Sequence, residues 1–148
     1  MLELLVVAML GVLVIMFISN ASRWYGRSVH DMQITAHLSR ELKLAADAIA
    51  QDFGPSLAAR TTDGTNVQLD LDGDGDSAAD WAAPDTVIEY ALSGGKLVRR
   101  NLDAATEVPL AANIAEVTAE LVSGHLSVHL TASYRDEQQD VTLQLQEP

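Results

Sequence analysis

Cysteine is absent from the 148 residues. That excludes disulfides, thiolate metal sites and cysteine nucleophiles together. Aromatic residues make up only 5%, so a core has to be built from Leu, Val, Ile and Ala. Basic residues are few: nine Lys and Arg stand against twenty-one Asp and Glu, for a net charge of −12. No basic patch is longer than Arg99-Arg100. An acidic surface repels phosphate backbones, so nucleic acid is not an expected partner. No Gly-x-Ser-x-Gly elbow places a serine nucleophile. The four histidines (His30, His37, His125 and His129) lack zinc-site spacing. His125 and His129 would lie about 13 Å apart on a strand, too far to share an ion. Nothing here points to an enzyme. Proline is also missing before Pro55, so no ring interrupts a helix over the first fifty residues.

What is present divides into two regimes. Met1 to Ile18 is apolar except for Glu3 and Gly11. Eighteen residues at about 1.5 Å each reach roughly 27 Å, close to the ~30 Å of a bilayer core. The spacing predicts a transmembrane or filament-core helix over residues 1–21. An ordinary single-pass anchor fits this run. A secretory signal cut after Ala21 fits less well, because no Lys or Arg precedes the run and a carboxylate sits inside it. An ionisable group in such a helix costs a few kcal/mol unless paired, which makes Glu3 a functional candidate. From residue 22 to 53 the helix continues in amphipathic form. Ile34, Leu38, Leu42, Ala45, Ile49 and Phe53 recur every three or four residues and share one face. Gly54-Pro55 supplies the stop.

The run Glu3-Leu4-Leu5-Val6-Val7-Ala8, followed by Met9-Leu10-Gly11-Val12-Leu13, resembles the mature N-terminus of type IV pilins and pseudopilins. Family members open with Phe-Thr-Leu-Ile-Glu-Leu-Leu. Here the glutamate is third rather than fifth, with Met1-Leu2 at the two preceding places and no Phe-Thr pair. Met1 is therefore expected to be an internal methionine of a longer precursor with a basic leader. Arg23 and Arg27 alone would place their side of the run at the cytoplasm, and such a leader reverses the balance.

The resemblance implies a structural filament subunit of a type IV pilus or type II secretion-like system. Glu3 would pair with the N-terminal amine of a neighbouring subunit. It also implies copies of itself or other pilin-like subunits as partners, processing by a prepilin peptidase, N-methylation and an assembly machinery. The subunit would wait in the bacterial inner membrane before entering a periplasmic or extracellular filament. The competing reading is a membrane-anchored module whose acidic head binds a ligand. Glu3 separates the two, because a simple anchor gains nothing from it.

Residues 54–148 read as a β-rich head. Val67, Leu69 and Leu71 alternate with polar residues, and Val87 to Leu92 runs through Ser93-Gly94-Gly95-Lys96 into Leu97 to Arg100. Val117, Ala119 and Leu121, then Leu126, Val128 and Leu130, then Val141, Leu143 and Leu145 alternate likewise. Period-two alternation predicts a sheet with one buried face, and the Ile34–Phe53 stripe is its natural cover. The expected fold class is α+β: a long N-terminal helix, hydrophobic then amphipathic, packed on an antiparallel sheet as a pilin-like roll. The Asp-Gly loop, the Ser-Gly-Gly turn and the Arg-Arg strand are similar to minor pilins and minor pseudopilins.

The loop at 70–85 carries coordination chemistry. Asp70, Asp72 and Asp74 occupy positions one, three and five, with Gly75 at six, and Asp76 and Asp80 follow. This opening matches an EF-hand-type calcium loop. Position twelve is Trp81 instead of a bidentate Glu, so Asp80 or Asp85 would have to close the site. A solvated acidic turn is the alternative.

Overall fold

A computed structural model describes the backbone of residues 2–146 and the side chains of residues 9–146. One helix, α1 (Leu2–Phe53), precedes eight strands. The chain divides into two compact units, Met1–Ala36 and His37–Pro148.

The first unit is helical throughout its described length. From Met9 to Ile18 every residue is exposed, with Phe17 at 76% and Ile15 at 68%. Polar residues begin at Ser19 and Asn20. Among the described residues no helix is long and apolar enough to cross a membrane; this stands against the transmembrane reading of residues 1–21, of which residues 1–8 lie outside those whose side chains are described.

The second unit contains the last turns of α1 and all the strands. The antiparallel strands β1 (Ser56–Thr62), β2 (Asn66–Leu71), β3 (Thr86–Ser93), β4 (Lys96–Asn101) and β5 (Thr106–Ala112) form one sheet in sequence order. A second sheet holds β6 (Ile114–Val122), β7 (His125–Tyr134) and β8 (Glu137–Gln146). The head is therefore not the single-sheet roll expected from the sequence. It is an α+β unit with two antiparallel sheets of five and three strands.

Alternation reveals which residues share a face, not which strands share hydrogen bonds, and here the chain changes sheet at one residue. Asn113 takes a left-handed conformation (φ 58°) between β5 and β6, one that Asn tolerates better than most residues. The sheets are then joined along β6. Its Ile114 N–H donates to the Gly95 carbonyl and its Ala119 N–H to the Gly64 carbonyl, so β6 meets the turns of the β3–β4 and β1–β2 hairpins.

The helical stripe closes the core. Leu38, Ala45 and Ile49 are fully buried, and Leu42 and Phe53 nearly so. Burial of each large aliphatic side chain contributes about 1.5–3 kcal/mol. Hydrogen bonds tie the same stretch of helix to both sheets. Tyr90 on β3 donates its hydroxyl to the Ala48 carbonyl and to Asp52, and Arg99 on β4 donates to Asp52 at 2.6 Å. Glu41 accepts the Ala112 N–H, and the Ser39 hydroxyl donates to Gln139 on β8. Burial and the Asp52 carboxylate push the Tyr90 hydroxyl far above its ordinary pKa, so it stays a proton donor. The helix ends with the Gly54 N–H on the Ala50 carbonyl and the Ser56 hydroxyl on the Phe53 carbonyl.

The opposite face of the five-stranded sheet carries an unbroken polar row. Arg60, Gln68, Glu89, Arg100 and Glu107 are direct cross-strand partners from β1 to β5. Each donates to or accepts from the next, at 2.7 to 3.3 Å. Gln68 and Glu89 are largely buried, so the row satisfies charges that would otherwise be costly.

Candidate functional site

The β2–β3 connection, residues 72–85, folds back over this polar face. Trp81 shows how: its N–H donates to Asp70 Oδ2 at 2.7 Å, and the Arg60 guanidinium stacks 4.1 Å from its ring centre. Asp70 and Arg60 lie on β2 and β1 with side chains on the same side as the polar row, by their register with Val87 and Gln68. The loop therefore covers Asp70, which is completely buried. At position twelve of the EF-hand frame, Trp81 acts as a lid rather than a ligand.

Within the loop the acidic residues organise backbone. Asp72 accepts the N–H groups of Gly75 and Ser77, Asp74 that of Asp76, and Asp76 that of Ala78. Asp85, 2% exposed, accepts the N–H groups of Gly73 and Asp80 and so clasps the start of the loop to its end. The five expected ligands do not converge on one point. Asp72, Asp74 and Asp85 bring carboxylate oxygens within 4.8 Å of one another, and Asp74, Asp76 and Asp80 form a second such group. Asp70 belongs to neither group. Partial desolvation, then the charges of Asp76, Asp85, Asp74 and Asp70, push the Asp80 carboxyl above its usual range. Crowding of like charge is a physical property of the loop, but exposed acids crowd on many surfaces, so the groups alone do not define a cation site.

Gly73 makes the clasp possible. A Cβ at this position would overlap the Pro84 carbonyl oxygen, a backbone atom that cannot rotate away. Gly73→Ala is expected to cost the upper part of the ~1–3 kcal/mol typical of overpacking. Urea denaturation checks this; a loss below about 0.5 kcal/mol would mean that the two backbone segments separate freely.

The remaining candidates lie elsewhere. Glu3 falls outside the residues whose side chains are described. His129 bonds to Thr142 across β7–β8, and His37 lies near Glu41 and Asn113. Of the two residues that the sequence offers to close the loop, Asp85 joins Asp72 and Asp74, whereas Asp80 falls in the second group with Asp74 and Asp76; the pairing of Leu71 with Thr86 brings Asp85 back beside the start of the loop. No protein-family model, curated protein or solved structure matches this chain.

Proposed function

We propose that the chain is a structural subunit of a helix-cored filament, of the kind that type IV pilins and pseudopilins build. One observation carries the reading. Nine large hydrophobic side chains between Met9 and Ile18 are each more than half exposed, and together they encircle the helix. Monomers rarely expose a contiguous apolar patch above about 300–600 Å², and a helix apolar on every side needs neighbours on every side. Copies of the same helix supply them. The resemblance of Glu3 and its following run to the pilin N-terminus supports the same reading. It assigns Glu3 to an N-terminal amine of the next copy, since an unpaired carboxylate between apolar helices costs several kcal/mol.

The absence of cysteine from the chain makes the test clean. Single-cysteine variants Val14→Cys and Thr142→Cys are oxidised gently at equal concentration. Val14→Cys is expected to yield mostly linked dimers, because a residue at any angle around this helix faces a neighbour, while Thr142→Cys on β8 stays monomeric. Adding Glu3→Gln to Val14→Cys lowers the dimer yield. Equal yields at the two cysteines, or none at Val14, would rule out the helical core; an unchanged yield with Glu3→Gln would rule out the role of the acid.

A further inference from the structure

Asp70 is buried with only one of its two carboxylate oxygens partnered. Its Oδ2 takes the Trp81 N–H, which holds the carboxylate against the inner side of the loop, yet its Oδ1 is buried without any hydrogen-bond partner among the described residues. It is the only such side-chain atom found among them. A buried carboxylate oxygen lacking a donor costs ~1–3 kcal/mol or more, and an ion is one of the few things that account for it. Desolvating the charge in a purely structural turn gains nothing, because Asp72 and Asp74 already hold the turn by their own hydrogen bonds.

We propose that the β2–β3 loop binds a single calcium ion through Asp72, Asp74 and Asp85, with the unpaired Asp70 oxygen completing the inner side of the site through a water. Four features select the ligand. All the donors are carboxylate oxygens, and residues 70–85 contain no His or Cys, which favours a hard cation over a transition metal. The oxygens of Asp72, Asp74 and Asp85 lie within 4.8 Å of one another, the spread available around an ion with ligands at about 2.3–2.6 Å. The two donor levels, exposed Asp72 and Asp74 over buried Asp85 and Asp70, form an irregular cage. That suits calcium better than magnesium, which demands near-octahedral geometry. Finally, no Lys or Arg occurs between Thr61 and Gly95, so the loop supplies no counter-charge of its own, and Arg60 on β1 stacks on Trp81 and donates to Gln68. The ion would pin the loop, with its Trp81 lid, onto the polar face of the sheet.

The test uses the full chain with Trp24→Phe in mild detergent, stripped of metal, and reads thermal unfolding of the head by circular dichroism and Trp81 fluorescence, not assembly. Calcium at roughly a hundredfold excess over its dissociation constant is expected to raise the melting temperature by at least about 5 °C over chelator. Magnesium at the same concentration should give less than half the shift. Asp72→Asn with Asp74→Asn removes most of the calcium shift while leaving the head folded in chelator, since each Asn keeps one oxygen that accepts from the turn and two repelling charges are lost. Identical melting in calcium and chelator overturns the site. So does a full shift in the double variant, and an equal shift with magnesium overturns the choice of ion. Because assembly is not read, none of these results bears on the filament.

Discussion

Full-length protein carrying Val14→Asp and Phe17→Asp is expected to sediment as a monomer at concentrations where the proposed filament would hold the parent chain assembled. The two positions lie three apart on α1 and therefore on one face. Both are exposed in the single chain, Val14 at 54% and Phe17 at 76%, so neither substitution removes a core contact. Packed against copies of itself, however, the same face would bury two carboxylates with no counter-charge. Each uncompensated buried charge costs at least about 3 kcal/mol. Two of them weaken association by a factor above about 10⁴. Melting of the head should not change, which separates lost assembly from lost folding. Conservative Val14→Leu with Phe17→Leu keeps the apolar surface and should assemble like the parent. A doubly charged variant that still assembles would show that some other surface holds the subunits together.

The same helix shows what the sequence makes legible. Ile34, Leu38, Leu42, Ala45, Ile49 and Phe53 recur at helical spacing, and all six are buried. Gly54 ends the helix through the local chemistry that the Gly-Pro pair announces. In the second sheet, the alternating residues are placed in rows across the strands: Val117 opposite Leu130 and Val141, and Ala119 opposite Val128 and Leu143. Two strands escaped notice because their side chains do not alternate. β1 reads Ser-Leu-Ala-Ala-Arg-Thr-Thr, and β5 carries Pro109, a residue tolerated because β5 is an edge strand. The division into two sheets depends on one left-handed Asn113 and on bonds from β6 to two distant hairpin turns, neither of which leaves a periodic trace.

The acidic loop was legible as a cluster but not as a geometry. Its Asp-x-Asp-x-Asp-Gly opening points to one centre, whereas the fold makes two groups and buries Asp70 beneath Trp81. Asp85 is a candidate in the sequence, but its hold on Gly73 and Asp80 and the stacking of Arg60 on Trp81 are products of strand pairing. So is the five-residue polar row. Arg60, Gln68, Glu89, Arg100 and Glu107 are scattered in sequence, and only the antiparallel register lines them up.

Ile49→Asp should unfold the whole head, with both sheets lost in one transition. Ile49 is fully buried and sits between Ala48, whose carbonyl accepts the Tyr90 hydroxyl, and Asp52, which holds Tyr90 and Arg99. An aspartate there would be a buried charge beside an existing carboxylate. The expected loss is above about 4 kcal/mol, a large part of the ~5–15 kcal/mol that stabilises a typical domain. Ile49→Val, which removes one methylene, costs only about 0.5–1.5 kcal/mol and serves as the graded control. Joint loss of the sheets follows from the bonding: helix residues 39–52 reach β3, β4, β8 and the end of β5, while β6 is fastened to the Gly64 and Gly95 turns. In a Trp24→Phe background, Trp81 fluorescence reports the five-stranded sheet and far-ultraviolet dichroism reports all strands. For Ile49→Val the two urea curves should coincide. Separate midpoints would mean that the three-stranded sheet stands without the helix, and the buried stripe would then serve one sheet rather than two.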